Sequence, residues 1–369
     1  MSELLHRLRR ELVTLTDPVA RAEIVARIAG VLARSGKFDD ARQAINAIKE
    51  HFGRGESGRV TVWKMIAECL VFHYENLSPA ALDRMSGALV LGRAMNYPAA
   101  IALAAAWKAH IEFERSDFAK MAESLAASLQ SVEAADHDTQ TRISIVLANA
   151  FMICGDRVQM QTWFLRGRNH AIKHGDRASV EALQYNKAAF ATAWARISSC
   201  VAPLEADGLL LLRGEVNSAR NLQELSGIAA LYGHIHLIHA RLLVLEKQYE
   251  LAVEALNVVR ITEPFAQHNF HQSFIDLEIQ FCTVMLGGTD FSMASRDSDL
   301  LREFAGLDID ERIVASWMLA RIAEAAELHE TLAVLEEELQ KLLTTHDADR
   351  KQLRASLATI VDGCTAIGP

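Results

Sequence analysis

The chain has 369 residues, half of them hydrophobic, six prolines and a net charge of −9. That balance excludes a broad basic nucleic-acid surface, and scarce proline with abundant apolar side chains favours long helices around a sizeable core. The five cysteines (Cys69, Cys154, Cys200, Cys282 and Cys364) are dispersed, odd in number and lack CxxC spacing, as expected of thiols in a reducing cytoplasm.

The first fifteen residues, MSELLHRLRRELVTL, have helical periodicity, and their charges interrupt the apolar core that a signal peptide needs. No apolar run is long enough to cross a bilayer, so a soluble cytoplasmic protein is the expectation. Asp17 and Pro18 form a helix start, with the aspartate capping free N–H groups and the proline in the first turn. That start predicts a helix to 34, a turn at Ser35–Gly36–Lys37 and a return helix over 38–52. Residues 53–59, GRGESGR, contain a literal GxGxxG at Gly53, Gly55 and Gly58. A dinucleotide site needs that motif between a strand and a helix, and here it follows a helix, so a solvated loop is expected and no cofactor.

Further helices are expected over 60–75, 79–95 with Ser78 as cap, 98–114 and, after a turn at Ser116–Asp117, 118–131. Residues 143–176 then read as two amphipathic helices around a tight turn at Cys154–Gly155–Asp156. Ala148, Phe151, Gly155, Phe164 and Gly167 give a small–large–turn–large–small order that lets the two helices pack closely. A helix over 177–198 follows. Residues 199–216 carry Pro203, Gly208 and Gly214, which suggests a short Leu-rich helix ending at Gly214 and either a joint between two halves of one continuous 1–369 array or an irregular repeat within it. Periodicity resumes at 221, with a hairpin over 233–261, helices over 266–286 and 291–304, a hairpin of 310–328 with 331–345, a closing helix to 361 and a frayed tail.

The turns at Gly36 and Gly155 are separated by three units of roughly 40 residues, a period of stacked helical pairs. The stretch LANAFMICGD resembles the L-G-N-A-Y-x-x-x-G-D segment of the tetratricopeptide repeat, and AGVLARSGKFDDARQAI and ARLLVLEKQYELAVEAL are similar to it more loosely. The resemblance covers about half of the chain, and no unit carries the proline that commonly ends the second helix. It implies an all-α fold, an α-solenoid of stacked antiparallel hairpins in a right-handed superhelix, with the first helices lining a concave groove. Arg27, Arg142, Asn149, His234 and Arg241 would then face a protein or peptide partner. Family members that grip a peptide carboxylate use Lys, Asn and Arg there. Asn149 matches, but Ile145 stands where the lysine would be, so that clamp is incomplete.

Arg166, Arg168, Lys173 and Arg177 make a local basic stretch suited to an anionic peptide, a phosphate or nucleic acid, or simply to a solvated face. His234, His236 and His239, with His268 and His271 beyond, could converge on a metal only if imidazoles from two helices met, and no metal is expected. The five tryptophans fall in helical patterns and read as packing residues. No P-loop, GxSxG or HExxH stands in the chain. The expectation is therefore a non-enzymatic interaction scaffold, with a ligand-sensing regulator and an anion adaptor as alternatives. Exposed helix faces would also allow a homodimer.

Overall fold

A computed structural model of the chain describes residues 3–52, 57–76, 78–226, 232–262, 269–292 and 304–364. Among the described residues there are sixteen α-helices and no strand, so the fold is all-α. Packing divides the chain into two compact units, one of Met1–Leu183 and Gln352–Pro369, the other of Gln184–Ser226 and Leu231–Lys351.

The helices of the first part are α1 (Glu3–Thr14), α2 (Pro18–Arg34), α3 (Phe38–Phe52), α4 (Gly58–Asn76), α5 (Ala80–Ala94), α6 (Pro98–Glu114), α7 (Phe118–Ser131), α8 (His137–Ile153) and α9 (Arg157–His174). Then come α10 (Arg177–Val201), α11 (Ala206–Ser226), α12 (Tyr232–Leu245), α13 (Tyr249–Thr262), α14 (Asn269–Met285), a 3-10 turn at Phe304–Gly306, α15 (Ile309–Ala325) and α16 (His329–Cys364). Most consecutive helices pack on one another, among them α2 on α3, α4 on α5, α6 on α7, α8 on α9 and α12 on α13, and α2 also packs on α4 and α6 on α8. This second set of contacts explains why α6 and α8 are buried on most sides: each has neighbours on several faces. Ala102, Ala104, Ala105, Ala106, Trp107 and Ala109 of α6 are wholly buried, as are Ile143, Ile145, Val146 and Leu147 of α8.

Aspartates start many of these helices. Asp17, Asp117, Asp136, Asp156 and Asp308 each accept a hydrogen bond from the backbone N–H three residues on, satisfying donors that the first turn leaves free. The other ends share one closing turn. Gly36, Ser116, Gly155, Lys247, Gly287 and Glu327 all have positive φ. In each case the next N–H reaches a carbonyl five residues back, as in Lys37 to Leu32 at 2.9 Å, Asp156 to Phe151 at 3.0 Å and Leu328 to Ala323 at 2.9 Å. This is the Schellman closure. Several of these turns recur at intervals of roughly 40 residues, the period of paired-helix repeats.

Among the described residues eight have positive φ, and four of them, Asn96, Ser116, Lys247 and Glu327, are not glycine, where a β-carbon costs about 1–2 kcal/mol. Glu327→Gly is therefore expected to raise stability by about 1 kcal/mol, whereas Gly155→Val, with a branched side chain at φ 75°, should lower it by at least as much. Thermal melts of the two variants check this. A Glu327→Gly protein that melts below the parent would contradict it.

Several boundaries differ from expectation. No helix ends at Gly214: α11 runs from Ala206 through Gly208 and Gly214 to Ser226, and a Cβ at either glycine would meet nothing within 4 Å. Both sit on an open face, where glycine weakens a helix without breaking it. The expected break near 345 is also absent, because α16 is continuous over 36 residues. The sequence HDAD at 346–349 holds no proline or glycine to stop it, and His346 is buried. Of the helix expected over 291–304, residues 293–303 lie outside the described residues, while Phe291 and Ser292 are not helical. Gly53 and Gly55, His268 and residues 365–369 also lie outside them, and Gly58 opens α4.

Candidate functional site

The first unit contains a cavity of about 490 Å³ walled by α1, α2, α4 and α6 and by the lead-in to α8. Its apolar walls include Trp63 of α4, Trp107 of α6, Leu70 and Leu103. Gly30 keeps α2 close to α4, since a Cβ there would come within 3.1 Å of Leu70 Cδ1. Arg7, Glu11, Arg27, Arg34, Asp138 and His174 supply charged or titratable groups to the lining. The volume lies in the range of sites that enclose a small molecule or a few peptide side chains.

A buried polar corner closes one side. Arg34, the last residue of α2, donates to Asp176 at 3.1 Å and approaches Asp138 at 3.6 Å. Asp176 also starts α10, accepting from the Ser179 N–H at 3.3 Å and from its hydroxyl at 2.8 Å. Burial would push the Asp138 carboxyl up, but Arg34, His174, Arg27 and Arg142 outweigh it and hold the group below its ordinary range. Arg142 of α8 is buried and lays its guanidinium 3.5 Å from the centre of the Trp107 ring. Burial pulls its proton affinity down. Among the described residues it has no ion pair, and its Nε has no hydrogen-bond partner. Arg34 Nε, Trp107 Nε1 and His174 Nδ1 are likewise buried without one. Buried donors without acceptors are costly, so this corner favours a ligand that brings oxygen acceptors or negative charge.

In the second unit, Arg196 of α10, Arg241 of α12, Glu278 of α14 and Glu311 of α15 form one network. Glu278 is fully buried and accepts from Arg196 and, at 3.0 Å, from Arg241, which also donates to Glu311 at 3.1 Å. Burial draws Arg196 down to about 10. A cavity of about 240 Å³ lies beside the network, lined by Tyr185, His234, His271 and Asp308 among others. A second, of about 330 Å³, is more apolar, with Cys200, Tyr249, Phe281 and Trp317 in its lining.

The five groove candidates are distributed over both units. Arg27, Arg142 and Asn149 belong to the first, His234 and Arg241 to the second. Arg27 is exposed, lines the 490 Å³ cavity and stacks over Trp63 at 4.4 Å. Arg142 and Asn149 are buried, at 4% and 6% exposure. His234 packs edge-on against Tyr185, and Arg241 is engaged by its two glutamates. In the basic stretch, Arg166, Arg168, Lys173 and Arg177 are all exposed. Arg166 covers Trp163 at 4.9 Å and Arg177 pairs with Glu181 at 3.3 Å. Among the described residues, Arg168 and Lys173 have no ion-pair partner. On the same helix Val158, Leu165 and Ile172 are exposed at seven-residue spacing.

His234, His236, His239 and His271 belong to no metal-sized group among the described residues. Cys69, Cys154, Cys200 and Cys282 are thiols, and burial pushes Cys69, Cys200 and Cys282 up to about 12. Sequence reasoning missed the Arg34–Asp176 pair, because its partners are 142 positions apart. No helix among the described residues is long and apolar enough to cross a membrane. No known family model matches the chain, and no curated protein matches it.

Burial depresses His170, His174, His234 and His239 below their ordinary range. Each stays neutral in the folded chain at a pH where the unfolded imidazole, near about 6.5, takes up a proton. Their contribution to stability is thus present above that value and is lost as pH falls through the lower folded values. The urea midpoint is expected to drop between pH 7 and pH 5, and a flat profile would contradict this.

Proposed function

We propose that the chain is a binding module of stacked helical hairpins, a tetratricopeptide-like α-solenoid, that holds a peptide segment of a protein partner in the 490 Å³ cavity. The observation that carries the reading is that cavity, with two indole walls beside a corner of unmatched buried donors. The closing turn recurring at roughly 40-residue intervals supports the repeat architecture. An apolar side chain would lie against Trp63, Leu70 and Leu103, and an acidic or carbonyl oxygen would turn toward Arg34. Tryptophan and arginine in a desolvated pocket are the residue types that dominate binding energy.

Arg27 gives the cleanest test, because it lines the cavity yet is exposed. In a pull-down with the full chain, Arg27→Glu is expected to cut recovery of the partner at least tenfold. As a surface change its melting temperature should stay within a degree or two of the parent. Equal recovery would remove the cavity from the reading. The basic stretch 166–177 supports a second reading as an anion adaptor, resting on the exposed Arg168 and Lys173. It would be favoured by nucleic acid recovered with a steep salt dependence. A retained small molecule that raises the melting temperature would favour a sensor instead.

A further inference from the structure

Helices α4 and α6 bring together three side chains that the cavity reading does not use. His110 and Glu114 are one turn apart on α6 and so share a face, and His73 of α4 meets them. His110 Nε2 is 3.3 Å from one oxygen of Glu114, and His73 Nδ1 is 3.7 Å from the other. The ligand-capable atoms of all three lie within 4.8 Å of one another. Both rings are buried, while the carboxylate side chain is 40% exposed. Trp107 packs edge-on against both rings, with centroids 6.2 Å from His73 and 5.5 Å from His110, which fixes their placement.

We propose that His73, His110 and Glu114 form a binding site for a divalent transition-metal ion of the zinc class. The ligands are His73 Nδ1, His110 Nε2 and a Glu114 oxygen, with the remaining position open to water on the exposed carboxylate side. Donors around a tetrahedral ion at bond lengths of about 2.0–2.2 Å stand about 3.3 Å apart. The His110–Glu114 separation already has that value, the Glu114 side chain can swing to close its gap to His73, and a small rotation of the imidazoles brings their ligand atoms, within 4.8 Å of one another, to the same spacing.

The surroundings select the ion. Two of the three ligands are imidazoles and only one is anionic. Magnesium and calcium, which depend on several oxygen ligands, are disfavoured, whereas zinc, cobalt and nickel bind imidazole directly. A second cluster, Asp138, His174 and Asp176, has similar spacing. There the Arg34 guanidinium already reaches both carboxylates and supplies the cation.

This site does not rest on the peptide-binding reading. The full chain, stripped with a chelator, would be titrated with cobalt(II) while the visible absorption of the tetrahedral ion is followed, and then displaced with zinc. One equivalent should bind. Glu114→Gln and His110→Ala should each weaken binding at least tenfold, and His329→Ala, an exposed histidine elsewhere, should titrate like the parent. Because Glu114 is partly exposed, circular dichroism on Glu114→Gln separates lost binding from lost folding even if His110→Ala unfolds. Absence of the absorption band, or a folded Glu114→Gln protein that titrates like the parent, would overturn the site.

Discussion

Glu278→Ala is expected to destabilise the second unit by about 3–5 kcal/mol, the usual cost of removing one partner from a buried ion pair. Glu278 has no exposure and satisfies Arg196, 6% exposed, together with Arg241. Truncation leaves Arg241 with Glu311 alone and deprives the buried Arg196 of its ion-pair partner. The four residues come from α10, α12, α14 and α15, so the loss is felt by four helices at once. Glu278→Gln should recover part of it through retained hydrogen bonding. Urea unfolding of both variants measures the effect. A loss below about 1 kcal/mol for the alanine variant would mean that water takes over the carboxylate's role.

Trp107→Ala should cost the first unit about 3–5 kcal/mol, as large aromatic truncations in cores do. The ring has no exposure, carries the Arg142 guanidinium on its face and packs edge-on against His73, Tyr74 and His110. Its removal leaves a hole beside the cavity and deprives a buried arginine of its cation–π contact, which is strongest when desolvated. Trp107→Phe keeps a ring under Arg142 and should lose less. Thermal or urea melts would decide, and equal losses for the two variants would show that neither the retained ring volume nor its contact with Arg142 offsets the loss of the indole.

The helices were legible where local chemistry marks them. Asp17 with Pro18 opens α2, Gly36 and Gly155 close α2 and α8, and Asp117 and Asp156 cap the helices that follow. The same closing turn at Ser116, Lys247 and Glu327 was harder to read, because packing there imposes a positive φ on residues that do not announce it. The uninterrupted passage of α11 through Gly208 and Gly214 shows that glycine on an open face weakens a helix without ending it, and continuous α16 has no proline or glycine at 346–349 to stop it.

Arg142 and Asn149 show a different limit. Their positions on a first helix suggested a groove, but α8 has neighbours on several sides and buries both. Arg27 did reach the cavity, because α2 keeps one face open there. Arg34 with Asp176, and His73 with His110 and Glu114, depend on contacts between helices distant in the chain. Only the His110–Glu114 spacing on one helix face left a local trace.

Hydrogen–deuterium exchange of the full chain with and without its captured partner tests the central claim most directly. The account predicts new protection on the cavity-facing parts of α2, α4 and α6 and on residues 131–138, with little change elsewhere. Protection confined to residues 166–177, or to helices of the second unit, would contradict it.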